Sequence, residues 1–247
     1  KRITTYFILL VFIAISCTEN QNTNPELISK PSTIDGFSFH RYIVAGDYSK
    51  VEEQLALGIN PNITISNKVS PIMTAALHDR VKIIETLIQY KANLNAQSKE
   101  GWSAVLLASK NGNYKSLQAL IKKNANVNLR LNNGENAIFK ALYRDNTACA
   151  KLLIDNKATI GLPSKNGLTE LIIAADRGNL DLVKILFQKI NNIDHTNTFG
   201  ETALIRASLN DHREIVTFLI EKGADKTIKD RLQKTALDWA KEKKHKQ

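Results

Sequence analysis

The chain has 247 residues, 43% hydrophobic and 23% charged, the proportions of a folded protein and not of a disordered one. Its net charge of +10 comes from 34 Lys and Arg against 24 Asp and Glu. Those charges are spread along the chain, apart from the tail Lys241 to Lys246, and no zinc-ligand spacing or stacking-aromatic motif accompanies them, which argues against nucleic acid as a partner.

At the N-terminus, Lys1 and Arg2 precede an apolar run from Tyr6 to Ile15, after which the chain turns polar at Thr18, Glu19 and Asn20. A membrane-crossing helix needs about 20 apolar residues; this shorter run suits the core of an export signal over residues 1–16. The segment Ala14-Ile15-Ser16-Cys17 resembles the lipobox of bacterial lipoproteins, although a larger aliphatic residue is usual at Ala14. That resemblance implies lipidation of Cys17, export to a bacterial envelope and membrane anchoring through the N-terminal lipid. Small residues at Ala14 and Ser16 also suit an ordinary signal peptidase, which would leave a soluble secreted or periplasmic protein. The other cysteine, Cys149, falls on an apolar helix position where a thiol behaves as a small buried hydrophobe. Without Lys1 and Arg2, 32 basic residues face 24 acidic ones, a net +8.

Residues 17–33 form the lipidated cysteine and its tether. From Thr18 to Thr33 the chain is rich in Asn, Thr, Ser and Pro without a helical or strand period, and a coil of about 16 residues spans roughly 22 Å.

From Ile34 to the end, one unit repeats. Gly101, Gly134, Gly167 and Gly200 recur every 33 residues. With the glycine as second residue, the sixth position reads Phe39, Ile72, Val105, Ile138, Leu171, Leu204 and Leu237, and the ninth reads Tyr42 followed by Ala75, Ala108, Ala141, Ala174, Ala207 and Ala240. These positions make the inner seam of a short first helix, with alanines allowing close approach. A second helix follows, apolar at Val51, Ile84, Leu117, Ala150, Val183 and Val216 and again four residues on. Gly46, Asp79, Gly112, Asp145, Gly178 and Asp211 suit the tight turn between the two helices. Ser70, Ser103, Asn136, Thr169, Thr202 and Thr235 are placed to cap the first helices.

Ser70-Pro71-Ile72-Met73-Thr74-Ala75-Ala76, Gly200-Glu201-Thr202-Ala203-Leu204, Gly223-Ala224-Asp225 and Lys234-Thr235-Ala236-Leu237-Asp238-Trp239-Ala240 resemble the ankyrin repeat family. The resemblance covers residues 34–247 and implies an all-α solenoid of helix-turn-helix units, about five full repeats between degenerate capping units. Lys68 and Gln233 replace the glycine near the two ends, and the last unit reads as a half-unit cap. Position 25 holds Gly58, Lys91, Asn124, Lys157 and Gly223 but Ile190 in the fifth unit, where a β-branched residue would be strained at positive φ, so the loop from Lys189 to Asp194 is expected to be irregular.

No catalytic constellation, cofactor loop or metal-ligand spacing appears; small-molecule chemistry and an enzyme are therefore disfavoured. His40 matches the family's structural histidine, whose ring bonds backbone between units. The remaining carboxylates read as single solvated groups on helix surfaces. The family holds protein partners with its turn tips and the concave face of its first helices. Carried over by position, that face comprises Val69, Leu77 and His78; Trp102, Lys110 and Asn111; Glu135, Lys140, Tyr143 and Arg144; Leu168, Asp176 and Arg177; and Phe199, Arg206 and Leu209. Trp, Tyr, Phe and Arg are the residue types that dominate binding hot spots. The expectation is a monomeric, non-enzymatic module that grips a protein. Alternatives are electrostatic adhesion to anionic envelope polymer or lipid headgroups, and neutralisation of a toxin.

Overall fold

The computed structural model describes residues 34–244, and the predicted signal, Cys17 and the tether lie outside the described residues. Six helix pairs follow one another: α1 (Gly36–Ala45) with α2 (Tyr48–Ala56), α3 (Pro71–Leu77) with α4 (Val81–Gln89), α5 (Ala104–Asn111) with α6 (Tyr114–Lys122), α7 (Ala137–Leu142) with α8 (Thr147–Asp155), α9 (Glu170–Asp176) with α10 (Leu180–Phe187), and α11 (Ala203–Leu209) with α12 (Arg213–Glu221). A single helix, α13 (Ala236–Lys244), packs on α11. The first unit forms both helices at the positions that the register assigns to Phe39, Tyr42 and Val51.

Each first helix stacks on the first helix of the next unit through the alanine seam: Ala75, Ala108, Ala141, Ala174 and Ala207 are fully buried. Caps form as their chemistry dictates. The side chains of Ser103, Asn136, Thr169 and Thr202 accept from the N–H of Leu106, Phe139, Ile172 and Ile205, and Thr235 shares a reciprocal cap with Asp238. Ser70 is the exception; Pro71 occupies the first helical turn and the Ser70 hydroxyl is buried without a partner.

The 33-residue glycine spacing has a steric cause. Gly101 sits at φ 89°, and a Cβ there would lie 2.9 Å from Leu131 Cα in the next turn tip. Successive tips are tied by backbone bonds: Lys99 N to Asn67 O (2.9 Å), Asn132 N to Glu100 O (3.1 Å), Lys165 N to Asn133 O (2.9 Å), Thr198 N to Asn166 O (3.0 Å) and Arg231 N to Phe199 O (2.9 Å). Lys68 and Gln233, which stand in place of the glycine at two tips, take the same left-handed conformation (φ 60° and 59°).

Sequence reading missed two polar ladders. Residues opening the second helices reach back one unit: Asn113 donates to Ala76 O and Leu77 O, Asn146 to Ser109 O and Lys110 O, and His212 to Asp176 O. Along the other edge, Asn62, Asn95, Asn128 and Asp194 accept from the N–H of Asn93, Asn126, Thr159 and Asp225. The rung between the fourth and fifth units is missing because Gly161 stands where the asparagine should be. The expected irregularity falls beside that gap. Lys91, Asn124 and Lys157 adopt φ between 61° and 66°, but Ile190 does not, and α10 ends one residue short of the other second helices.

Burial departs from the periodic reading at the C-terminal end. Leu237, assigned to the inner seam, is 59% exposed because no helix among the described residues covers it, and Leu232 is exposed as well. Cys149 is buried on α8, and burial pushes its thiol up to about 11.

Candidate binding face

The first helices and turn tips bring most of the predicted face into two adjoining groups. In the centre, Trp102 follows the third tip and its indole N–H donates to Glu100 (3.2 Å). The ammonium groups of Lys110, in the last turn of α5, and Lys140, on α7, lie 5.0 and 5.3 Å from the Trp102 ring centroid. Lys140 also lies 5.6 Å from the Tyr143 ring and is ion-paired with Glu135, to which the Tyr143 hydroxyl donates (3.3 Å). Burial, then the Glu135 charge, raises the Tyr143 phenol. Lys110 is half-buried; burial and the charges of Arg144 and Lys140 lower its ammonium pKa. Among the described residues no carboxylate pairs with Lys110 or with exposed Arg144.

Beyond Tyr143, the face opens into a hollow of about 380 Å³. Leu168, Ile172 and Ile173 supply apolar lining, Phe199 forms one wall, and Asp176, Glu201 and Arg206 mark the charged side. Phe199 is 60% exposed, a large apolar ring left in solvent at a turn tip. Arg206 is held within the chain: its guanidinium bonds Asp176 (Nε to Oδ1 2.9 Å) and Glu201 (Nη1 to Oε1 3.1 Å). Burial works against that charge, but the Asp176 and Glu201 carboxylates outweigh it and raise the Arg206 pKa. Asn210 Nδ2 adds a 2.7 Å bond to Asp176.

The other predicted residues lie around these two groups. Val69 pairs through its backbone with Ile65 at the second tip. Leu77 ends α3, with His78 exposed after it, and Asn111 donates to Leu77 O (3.0 Å) across the unit boundary. Arg177 caps α9, its Nε 4.0 Å from Asp176. Leu209 is half-buried at the end of α11.

Not all of the remaining carboxylates are the single solvated groups that the sequence suggests. Glu170, at the start of α9, is fully buried; it accepts from Asn136 Nδ2 (2.7 Å) and Gly161 N (2.9 Å), and burial raises its carboxyl pKa. Its position after the capping Thr169, where the second unit has Pro71, was the available signal. Asp176 and Glu201 likewise form a network with Arg206. His40 is structural, as expected, but its backbone bond lies within its own unit and the Thr74 side chain supplies the bond to the next. Buried with a lowered pKa, it donates from Nε2 to Ile63 O (3.4 Å) while Nδ1 accepts from the Thr74 hydroxyl (2.7 Å).

Among the described residues no helix is long and apolar enough to cross a membrane, and no three His, Cys, Asp or Glu side chains cluster as metal ligands. A second hollow, of about 230 Å³, lies at the irregular Ile190 loop, away from the face just described.

The model of ankyrin repeats in three copies matches residues 39–131, 107–196 and 171–247. The fold is similar to the human ASB11 ankyrin repeat domain, at 24% identity and TM-score 0.71 over 82% of this chain and 90% of that one. It is equally similar to the ankyrin repeat domain of Bcl-3, described as a unique member of the IkappaB protein family: 24% identity and TM-score 0.71 over 84% of this chain and 95% of that one. No curated protein matches the sequence. Ankyrin repeats are in general protein–protein interaction modules, and the fold is typically a non-catalytic binding scaffold. With the repeat model spanning residues 39–247, the chain belongs to the ankyrin repeat family.

Proposed function

We propose that the chain is an exported interaction module, anchored in a bacterial envelope by a lipid on Cys17, that acts as a monomer and holds a protein partner along the concave face of its first helices. The observation that carries this reading is the run of Trp102, Tyr143, Leu168 and Phe199 across four consecutive units, the last three of them lining an open hollow of about 380 Å³. Aromatic anchors around a hollow, ringed by polar groups, are the features that make a small part of a surface dominate binding. The charged start of the chain, its short apolar run and Cys17 support export with a lipid anchor.

The test of the face is capture of envelope proteins by the chain and by Trp102→Ala with Tyr143→Ala. A specific protein captured by the parent and released by the folded double variant is the expected result. Undiminished capture contradicts the assignment. The mass of the mature N-terminus tests the anchor: a diacylated Cys17 is expected, and an unmodified one overturns it.

A further inference from the structure

We infer that the centre of this face recognises an acidic peptide segment, its carboxylates meeting Lys110 and Arg144 while a neighbouring apolar side chain of the same segment enters the hollow beside Tyr143. The inference rests on the concave-face reading and adds the chemistry of the partner.

Lys110 and Lys140 both lie against the Trp102 ring, 5.0 and 5.3 Å from its centroid, and burial, then the charges of Arg144 and Lys140, lower the Lys110 ammonium pKa. The nearby acids are already engaged: Glu135 by the Lys140 ammonium and the Tyr143 hydroxyl, Glu100 by the Trp102 indole N–H. Lys110 is left half-buried, with an aromatic ring as its compensation and no anion. Holding a partly dehydrated ammonium among like charges works against folding, and an incoming carboxylate would remove that penalty. Arg144 beside it offers a planar guanidinium suited to a second carboxylate.

The hollow continues from this group through their shared residue, Tyr143. Its acids and Arg206 are bound to one another, leaving Leu168 and Phe199 as the features a partner would meet. An apolar side chain would fill it. Two unpaired cations beside an apolar hollow fit a short segment that mixes acidic and apolar residues; a phosphate polymer or a lipid surface calls for a longer basic stripe and has no use for the hollow.

The experiment is selection of a displayed library of random dodecapeptides on the full chain, followed by fluorescence anisotropy of the enriched peptides. Enrichment of Asp or Glu next to Phe, Leu, Tyr or Met is expected. Those peptides should bind roughly tenfold more weakly to Lys110→Glu with Arg144→Glu, and more weakly as salt rises. Lys110→Gln, which adds no new charge, serves as the folding-neutral control and should weaken binding in the same direction. Enriched peptides that are neutral or basic, or acidic peptides indifferent to both variants, overturn the inference, as does a library from which nothing is enriched. Neutral peptides released by Trp102→Ala would remove the acidic partner and leave the concave-face reading standing. Charge-dependent binding to phosphatidylglycerol vesicles, with no peptide enriched, would instead assign the cations to lipid.

Discussion

Along α5 and α7 the binding face carries Lys110 and Arg144 without a carboxylate partner, whereas along α9 and α11 Arg206 bridges Asp176 and Glu201 and every strong charge beside the hollow is answered inside the chain. The two regions share one architecture: Lys140 paired with Glu135 stands at the unit positions of Arg206 paired with Glu201, while Lys110 stands where the other side has Asp176. What separates them is whether the chain supplies the counter-charge. Answered charge ties one unit to the next and shapes a wall; unanswered charge leaves a surface complete only when something else brings the anion.

The largest effect should come from opening the closed side. Arg206→Ala leaves Glu201 partly buried without its cation and Asp176 with only the more distant Arg177. It should lower stability by about 2 kcal/mol, between the values for exposed and fully buried ion pairs, as read from urea unfolding. Arg206→Lys should recover part of that loss, since one ammonium cannot reproduce the two-carboxylate fork.

A second effect concerns the buried carboxyl behind the same side. Burial raises the folded pKa of Glu170 above the ordinary carboxyl value of 4.5, so between those two pKa values the folded state binds more protons than the unfolded one. Stability should therefore be highest below pH 4.5 as far as this group is concerned, and fall as pH rises from 4.5 through the folded pKa. Glu170→Gln should flatten that part of the stability profile. His40 works in the other direction: its folded pKa is lowered, so its contribution is full above pH 6.5 and lost as pH falls through the folded pKa. Urea midpoints across this range, for the parent and each variant, separate the two.

Much of this arrangement was readable in advance, because the repeat imposes it. The tip glycines, the alanine seam and the hydroxyl caps each answer a steric or hydrogen-bonding need that returns every 33 residues, so the register alone locates them. Ile190 was readable as a local conflict. What the register could not show is pairing between units. Arg206 looked like a free anchor because Asp176 is 30 residues away and nothing in periodicity says that their side chains meet. The asparagines at 62, 95 and 128 and those at 113 and 146 do carry a signal, the same residue type every 33 positions, but repetition alone does not say which backbone group each one meets. Leu237 was misplaced because a periodic pattern assumes a neighbour on both sides.

The smallest effects on stability belong to two exposed or unanswered side chains, Lys110 on the open side and Phe199 at the rim of the hollow. Lys110→Ala should change stability by no more than about 0.5 kcal/mol, and Phe199→Ala by a similar amount, since one side chain has no anion and the other is already in solvent. Calorimetric melting of the two variants checks both. Salt should follow the same division, with high ionic strength weakening what binds at Lys110 and Arg144 and leaving the unfolding midpoint nearly unchanged.

The most direct measurement sets Lys110→Ala beside Arg206→Ala in one preparation and records, for each, the urea midpoint and the affinity for an acidic dodecapeptide selected on the parent. The account predicts a crossed result: Lys110→Ala keeps its midpoint and loses affinity, while Arg206→Ala loses midpoint and, where still folded, keeps most of the charge-dependent binding. A Lys110→Ala protein that unfolds early yet binds the peptide as the parent does would contradict it.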